Sequence, residues 1–405
     1  MGVMDEWMEK TDASVMMAMS GGVDSSVAAL LLMQAGCRVT GVTMKLFGTD
    51  VLEPDCDSSC CSLDDVEDAR AVCRRLGVPH YTFNFGDLFG EAVIGRFCDA
   101  YLAGTTPNPC IDCNRFLKFE ALQRRRRELG LDAVATGHYA RRAFDGAAGR
   151  WQLLRARDAA KDQSYVLYHL TQDSLAHMMF PLGDLAKSEV RALARTHGFG
   201  NAEKAESQDI CFVPDGDYAA FIARRCGVVA NDGTARVNTA QAGEGTRAVE
   251  GASAASSAAA LPAAFRPGEI VDRAGRVLGR HRGLIHYTVG QRKGIGVAAP
   301  EPLYVFAKDV VANRLVVGTA ADVQVAGVVA RDVNLIAVER LEGPRPVSVK
   351  THYRQQPIAA TAEQTGSDEL RVMFDEPQRA AAPGQAVVLY DGDLVIGGGT
   401  IASCF

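Results

Sequence analysis

A segment near the start of the chain combines residue types that bind phosphate. Residues 20–26 are Ser-Gly-Gly-Val-Asp-Ser-Ser, after an apolar stretch at 15–19 and before strong helix formers at 27–35. The glycines allow a tight turn, and the first N–H groups of a following helix attract an anion. The serine hydroxyls add donors, and Asp24 is a candidate magnesium ligand. Because no lysine follows the glycines, this is not the GxxxxGK[ST] loop, but the strand–loop–helix context favours nucleotide binding over an ordinary Gly-Ser turn.

Two cysteines three residues apart provide a second candidate for chemistry. Cys110 and Cys113 lie in Thr-Pro-Asn-Pro-Cys-Ile-Asp-Cys-Asn at 106–114, where the prolines predict an extended chain and then a helix that begins near Cys113. A cysteine at a helix N-terminus has a lowered pKa and is a better nucleophile. Cys211, in Ile-Cys-Phe at 210–212, is a third candidate. For the Cys110–Cys113 pair alone, metal binding and thiol redox chemistry remain equally open.

The remaining cysteines give weaker signals. Cys56, Cys60 and Cys61 cluster in a loop rich in Asp and Ser. A zinc site is one interpretation of this cluster, but the irregular spacing favours a variable loop. The other five are interpreted as small, inert hydrophobic residues: Cys37, Cys73, Cys98, Cys226 and Cys404.

Strand and helix signals alternate through the first half of the chain. The predicted strands are 15–19, 38–44, 80–85 and 133–136, and the predicted helices are 25–35, 64–76, 87–102 and 114–129. This alternation predicts an α/β domain over residues 1–216, with a Rossmann-like parallel sheet and helices on both faces. In such sheets, ligands bind at the carboxyl ends of the strands. The Ser-Gly-Gly segment, Met44 and Gly137 all fall at such ends.

The second half of the chain has a different character. A small central domain is predicted over 217–301, with an alanine-rich insertion at 230–264 that holds few large apolar residues. We therefore expect deletion of part of 243–260 to leave folding intact. Alternating apolar residues, and an Asp-Gly turn at 391–392 between apolar runs, predict an antiparallel, barrel-like C-terminal β domain over 302–405.

Composition limits the function classes. The chain has 405 residues, a net charge of −6 and 47% apolar residues, as expected of a globular protein with two or three domains. The charge argues against a uniformly basic nucleic-acid binder, although four arginines at 124–127 form a local basic run. No signal peptide or membrane-spanning stretch is evident, so we expect a cytoplasmic protein with no membrane partner. In that compartment, cysteine clusters indicate metal or redox chemistry rather than disulfide scaffolding.

These segments together resemble known enzymes. The phosphate-binding segment resembles the pyrophosphate loop (PP-loop) of the ATP pyrophosphatase superfamily, whose members split ATP into AMP and pyrophosphate. Over nearly the whole chain except the alanine-rich insertion, the sequence resembles the tRNA-specific 2-thiouridylase family. The shared motifs are Ser-Gly-Gly-Val-Asp-Ser-Ser at 20–26, Thr-Pro-Asn-Pro at 106–109, Cys-Asn at 113–114, Ala-Thr-Gly-His-Tyr at 135–139, Lys-Asp-Gln-Ser-Tyr at 161–165, Ile-Cys-Phe at 210–212, Gly-Gln-Arg-Lys-Gly at 290–294, Tyr-Arg-Gln at 353–355 and Gly-Gly-Gly at 397–399.

The resemblance implies ATP-dependent sulfur transfer to C2 of the wobble uridine of tRNA, which gives 2-thiouridine. Adenylation of the uracil O2 would supply AMP as a good leaving group. Cys211 would carry the sulfur as a persulfide, and Cys113 would be the nucleophile that helps to discharge it, ending in a transient Cys113–Cys211 disulfide. The implied cofactors are ATP and Mg, and the implied partners are tRNA and a sulfur donor protein, such as a cysteine desulfurase or a relay protein.

The resemblance also assigns binding residues. Contacts with ATP are implied for Ala18, Met19, Ser20, Gly21, Gly22, Val23, Asp24, Ser25, Met44 and Gly137. The target base, flipped out of the anticodon stack, would be bordered by Asn108, Pro109 and Cys110. Contacts with tRNA are implied for His138, Lys161, Asp162, Gln163, Tyr353, Arg354 and Gln385.

The chain departs from the family pattern at one position. Many family members carry an aspartate where this chain has Cys110, and that carboxylate has been a candidate for proton transfer. The extra thiol creates a set of three, Cys110, Cys113 and Cys211, of the kind that holds a cubane iron–sulfur cluster. A cluster-bound sulfide is therefore an alternative to the Cys211 persulfide, and the sequence leaves both open.

Functions of other classes also have to be considered. Another ATP pyrophosphatase, acting on a small-molecule carbonyl, would need neither the three thiols nor an RNA-facing β domain. A non-enzymatic RNA-binding iron–sulfur scaffold would not need an intact PP-loop. Formation of AMP and pyrophosphate on addition of tRNA discriminates the scaffold from an enzyme, and alanine at Cys113 or Cys211 discriminates a small-molecule synthetase from a thiolating enzyme.

Overall fold

The first domain is built on a parallel sheet. The computed structural model describes residues 12–46, 63–204, 210–231, 234–237 and 261–405. The first domain contributes strands β1 (Ser14–Ala18), β2 (Arg38–Lys45), β3 (His80–Asn84), β4 (Ala133–Ala135), β5 (Ala140–Asp145), β6 (Arg150–Arg155) and β7 (Met178–Met179). Five of them form a parallel sheet in the order β3-β2-β1-β4-β7. The central β1 is a continuous apolar run because both faces of the sheet are covered. The four predicted strands and the Rossmann-like fold are confirmed.

Helices connect these strands and cover the sheet. The helices are α1 (Val23–Gln34), α2 (Leu63–Leu76), α3 (86–102), α4 (109–128), α5 (Gln172–Ala176), α6 (Lys187–Thr196) and α7 (Tyr218–Arg225). Both α3 and α4 contain a stretch of wide, π-helical turns, at Gly90–Gly95 and Cys113–Ala121 respectively. Such stretches occur often at functional sites. The predicted helices are confirmed, but α4 begins four residues earlier than the predicted start near Cys113.

The central domain is a small β structure. After the hairpin of β8 (Val228–Asn231) and β9 (Thr234–Val237), four strands form one sheet in the order β11-β10-β13-β12. They are β10 (Gly268–Val271), β11 (Val277–His281), β12 (Tyr304–Asp309) and β13 (Arg314–Gly318). The predicted boundary at 301 is therefore wrong, because β12 and β13 pair with the central sheet. The segment 238–260, which contains the predicted deletion site, lies outside the described residues, as do Cys56, Cys60 and Cys61.

The C-terminal domain is a closed antiparallel barrel. Its strands are β14 (Gln324–Leu335), β15 (Arg345–Lys350), β16 (Ile358–Gly366), β17 (Glu369–Arg379), β18 (Ala386–Asp391) and β19 (Leu394–Cys404). They run in the order β14-β17-β16-β15-β18-β19, and pairing of β14 with β19 closes the barrel. The barrel-like domain is thus confirmed. The hairpin β5–β6 of the first domain adds to the barrel sheet beside β19, which the sequence did not predict.

A single apolar core joins the three domains. One cluster of buried side chains includes Tyr165 and Phe212 of the first domain, Phe265 of the central domain, and Val388 and Tyr390 of the barrel. This shared core fixes the barrel against the segments that carry the candidate site residues. Within the described ranges, we find no helix that combines the length and apolar character needed to cross a membrane.

Candidate active site

The predicted PP-loop forms the turn between β1 and α1. Gly21 has a φ of 75°, and a Cβ at this position would lie 2.3 Å from the Asp65 carbonyl oxygen. Only glycine fits such a turn. The Ser25 and Ser26 hydroxyls donate to the Gly22 carbonyl oxygen at 2.9 and 3.0 Å, and thereby fix the start of α1. The N–H groups of the first helical turn have no intrahelical acceptor, so the turn can bind an anion.

Side chains from distant segments brace this loop. Asn201 Nδ2, which is buried, donates to the Gly21 carbonyl oxygen at 2.8 Å and to Ser26 Oγ at 2.9 Å. Both Asp24 carboxylate oxygens accept from Lys187 Nζ, at 2.7 and 2.8 Å, and Oδ1 also accepts from the Tyr139 hydroxyl at 2.8 Å. Asp24 was predicted to hold magnesium, and here the Lys187 ammonium lies on that carboxylate. None of the three bracing residues was predicted to act at the loop.

Two further predicted ATP contacts lie next to the loop. A Cβ on Gly137 would lie 2.8 Å from the Ser25 amide nitrogen, so only glycine allows the segment after β4 to come this close to α1. Met44, half-buried, is on β2, which pairs with β1. Met19 and Val23 are buried, which limits any contact of theirs with ATP to the backbone. The predicted ATP-binding residues therefore assemble at one edge of the sheet.

The segment that carries Cys110 and Cys113 starts α4. Asn108 Oδ1 accepts from the Cys110 amide at 3.2 Å, and Pro109 is the first helical residue. This arrangement is a standard helix start. Cys110, which is exposed, therefore lies in the first turn, where the helix dipole favours a thiolate, whereas Cys113 lies one turn further and is partly buried. The sequence predicts that the helix dipole stabilises a thiolate at Cys113, but the structure places Cys110 in the first turn, where that effect is strongest.

The segments that carry Cys211 and Cys113 both contact α3. Phe212, next to Cys211, packs with its ring centroid 5.2 Å from that of Phe97. Asp112, next to Cys113, pairs with Arg96 at 3.6 Å between Oδ1 and Nε. Because Arg96 and Phe97 are neighbours on α3, the same helix anchors both cysteine segments.

The three cysteines of the predicted iron–sulfur ligand set all lie within the described residues. Across the described residues, which include Cys110, Cys113 and Cys211, no group of three His, Cys, Asp or Glu side chains is arranged to hold a metal ion. The ligand set Cys110, Cys113 and Cys211 for a cubane cluster stays a prediction. By contrast, Cys73 and Cys98 are buried, and burial raises the pKa of their thiols to about 11 and about 12. These two fit the inert role predicted for them.

The residues with implied tRNA contacts come from three segments that meet beside α4. Gln385 Nε2 donates to the Thr106 and Pro107 carbonyl oxygens at 2.8 and 3.2 Å. Gln163 Oε1 accepts from the Tyr139 amide at 2.9 Å. Tyr353 lies at the barrel end of the same region and is 37% exposed, next to the exposed Arg354.

Two other residues with implied tRNA contacts have structural partners instead. His138 is buried between Phe119 and Phe180, and burial lowers its pKa well below the usual value. The Asp162 carboxylate is buried and accepts from Arg155 Nε, Ser164 Oγ and two backbone amides. Direct contact of these two side chains with RNA stays a prediction.

Comparisons with known proteins agree with this arrangement. Family models described as "tRNA methyl transferase HUP domain", "tRNA methyl transferase PRC-barrel domain" and "Aminomethyltransferase beta-barrel domain" match residues 13–215, 260–319 and 325–401. The chain is 48% identical to a tRNA-specific 2-thiouridylase MnmA of Moorella thermoacetica, over 96% of this chain and 99% of that protein. Proteins of the same name from Symbiobacterium thermophilum and Acetivibrio thermocellus are 46% and 42% identical, over 96% of this chain and 91% and 98% of theirs.

Proposed function

This chain belongs to the tRNA-specific 2-thiouridylase family, and on that premise we propose that it replaces O2 of the wobble uridine of tRNA with sulfur, using ATP. The relatives align over 91–99% of their own length. The proposal is supported by a chain that contains both a braced PP-loop and two cysteine segments anchored on one helix. An ATP pyrophosphatase that only activates small molecules needs no such thiols.

The first step activates the uracil. The uracil O2 attacks the α-phosphorus of ATP, pyrophosphate leaves, and an O2-adenylate forms. The turn at Gly21 and the first amides of α1 would bind the phosphates, and Gly137 leaves room for them beside Ser25. ATP enters as its magnesium complex in this proposal. When bound, the metal would neutralise charge on the leaving pyrophosphate. Asp24 is the loop carboxylate that would help to hold it, which requires Lys187 to give up its contact with Asp24.

The second step transfers sulfur. The terminal sulfur of a Cys211 persulfide attacks C2, AMP leaves with the bonding electron pair of the C2–O2 bond, and the sulfur remains attached to Cys211 Sγ. The Cys113 thiolate then attacks Cys211 Sγ, the S–S bond breaks, and its electron pair forms the thiocarbonyl of 2-thiouridine. A Cys113–Cys211 disulfide results, which an external thiol reductant reopens. Sulfide carried by an iron–sulfur cluster on Cys110, Cys113 and Cys211 is the alternative to the persulfide in this proposal.

The target base would reach this site between α4 and the barrel. Asn108 and Pro109 are proposed to border the flipped base, and Cys110 lies in the first turn of α4. The Gln385 contacts hold the chain just before these residues. In this proposal a tRNA bound to the barrel determines the position of the base-binding segment. A cytoplasmic location and a persulfide-donating protein are parts of the same proposal.

The test is mass analysis of nucleosides from tRNA incubated with the protein, Mg-ATP and a persulfide source. We expect 2-thiouridine from the native protein and none from Cys211→Ser or Cys113→Ser. The yield should be normal from Cys226→Ser, which changes a partly buried cysteine directly after α7. A native protein that releases AMP and pyrophosphate but leaves the tRNA without sulfur would reject thiolation. Anaerobically purified protein that holds iron and sulfide and needs them for thiolation would reject the persulfide version.

A further inference from the structure

Lys350 is a buried lysine for which no polar partner is found among the described residues. It ends strand β15 and is 6% exposed. Its Nζ lies 5.8 Å from the ring centroid of Tyr165 and 5.6 Å from that of Tyr353. The hydrogen bonds and ion pairs found for the described residues include none from this Nζ. Partial desolvation of this kind destabilises an ammonium unless a ligand or counter-ion replaces the lost water.

A ligand can reach this ammonium. Nζ of Lys350 is not fully enclosed by protein atoms. The tip of the side chain therefore borders solvent, while its stem is covered. Tyr353, one of the two rings that flank it, is 37% exposed. Tyr165, the other ring, is fully buried. The cleft meant here is the space between Lys350 and the exposed Tyr353, whose ring is of the kind that accepts a stacked base.

The nearby charged groups leave this cleft positive. Asp162 is the acidic group that faces Lys350, and Arg155 and His352 are the basic groups. The Asp162 carboxylate is already used by Arg155, Ser164 and two backbone amides. Burial lowers the pKa of Lys350, an effect that Asp162 opposes and Arg155 reinforces. An anion that enters the cleft would restore the missing neutralisation.

The cleft lies where the three tRNA-contacting segments meet. Tyr165 ends the motif at 161–165, and its hydroxyl donates to the Ala386 carbonyl oxygen at 3.0 Å. The neighbouring Gln385 holds Thr106 and Pro107. Lys350 Nζ thus lies over tyrosines of two of these segments, and Tyr165 connects it to the third through Ala386, the chain neighbour of Gln385. No RNA role was predicted for Lys350.

We propose that Lys350 binds a backbone phosphate of the substrate tRNA, while Tyr353 stacks on an adjacent base. The inference rests on the proposed function, because it requires tRNA as the substrate. Phosphate contacts of this kind fix the register of the RNA and carry no sequence information. Lys350 is therefore a positioning residue: it holds the anticodon arm so that the wobble base reaches Asn108.

The test compares Lys350→Met with Lys308→Met. Lys308 is a matched control, since its Nζ also lies over a tyrosine, 5.6 Å from the Tyr101 centroid, but donates to the Tyr287 carbonyl oxygen at 3.1 Å. The affinity for unmodified tRNA is measured without ATP at several salt concentrations. We expect Lys350→Met to bind tRNA about tenfold more weakly at low salt, with a salt slope reduced by about one unit, and Lys308→Met to match the native protein.

Two further measurements keep this inference separate from the proposed function. Lys350→Arg, which retains the charge, should keep the native salt slope, and Tyr353→Leu should weaken binding without changing that slope. A native protein that binds and thiolates tRNA, together with a folded Lys350→Met variant of native affinity and slope, overturns the role of Lys350 alone. A Lys350→Met variant that loses ATP-driven pyrophosphate release but keeps its tRNA affinity would also overturn this role. The anion bound by Lys350 would then be a nucleotide phosphate. A native protein that never thiolates tRNA overturns the proposed function instead.

Discussion

Gln385 Nε2 lies 2.8 Å from the carbonyl oxygen of Thr106. This contact joins the barrel to the chain that leads into α4. It is reinforced at the same place, because the Thr106 amide donates to the Pro383 carbonyl oxygen at 2.7 Å. Gly384 has a φ of 94°, and a Cβ there would lie 2.9 Å from the Thr106 carbonyl oxygen. The turn 383–385 therefore positions the proposed base-binding segment by direct backbone contact.

Replacing Gln385 with leucine should impair thiolation more than nucleotide use. The variant loses two hydrogen bonds to Thr106 and Pro107, each worth about 1 kcal/mol, so we expect kcat/KM for tRNA to fall by about tenfold or more. The affinity for ATP should not change. Gln378→Leu is the control, since its Nε2 contacts the local Glu376 carbonyl oxygen. Equal kcat/KM values for the two variants would show that the turn does not position the segment.

Gly137→Ala should disturb the PP-loop. The added Cβ would lie 2.8 Å from the Ser25 nitrogen and 3.0 Å from the Asp24 carbonyl carbon, and these are backbone atoms that cannot move aside easily. Overpacking of this kind costs about 1–3 kcal/mol. We expect tRNA-dependent pyrophosphate release to fall by about tenfold or more, with tRNA binding intact. Gly146→Ala, in open space, should behave as the native protein, and normal pyrophosphate release by Gly137→Ala would contradict the close approach.

The ion pair of Lys187 with Asp24 should stabilise the loop measurably. The two side chains are 11% and 30% exposed, so the pair is partly desolvated. A double-mutant cycle with Lys187→Met and Asp24→Asn, followed by urea unfolding, should give a coupling free energy of about 1–2 kcal/mol. The pair Arg195–Glu203, whose side chains are 58% and 69% exposed, should show a smaller coupling. A coupling near zero for Lys187 and Asp24 would mean that the contact is incidental to stability.

The sequence predicted those parts of the site that depend on neighbouring residues. The PP-loop, its strand and its helix are contiguous, so the pattern at 15–35 was sufficient. The start of α4 was misplaced although its signal was present: Asn108 and Pro109 are a typical cap and first helical residue. Prolines at 107 and 109 favour an extended chain, which predicts a helix start near Cys113, but Pro109 is instead the first residue of the helix.

Contacts between distant segments were not predictable from one sequence. Asn201 contacts a residue 180 positions away, Lys187 one 163 positions away, and Gln385 one 279 positions away. Each is an ordinary polar residue in its local sequence. The same reason applies to the hairpin β5–β6, whose alternation identifies a strand pair but not the barrel edge that it joins. Tertiary placement, rather than residue type, gives these residues their roles.

His169 should make the protein less stable in acid. Burial, reinforced by the charge of Arg115, lowers the pKa of His169 to about 4, although Asp332 opposes the shift, and its side chain is 7% exposed. The unfolded chain takes up a proton below its ordinary pKa of about 6.5, while the folded protein does not until about pH 4. The contribution of His169 to the free energy of unfolding is therefore fully present above pH 6.5. It is lost as the pH falls towards 4, which lowers the stability by about 2–3 kcal/mol.

The difference between native protein and His169→Gln tests this pH dependence. The variant removes the titrating ring, so its free energy of unfolding should fall less steeply between pH 6.5 and 4 than that of the native protein. His177→Gln is the control, because the His177 ring lies near the surface with Nδ1 3.2 Å from the Asp132 carbonyl oxygen. Urea unfolding at several pH values gives the slopes. If the native protein and His169→Gln lose stability in parallel, His169 is protonated in the folded state as readily as in the unfolded chain, and its burial does not control acid stability.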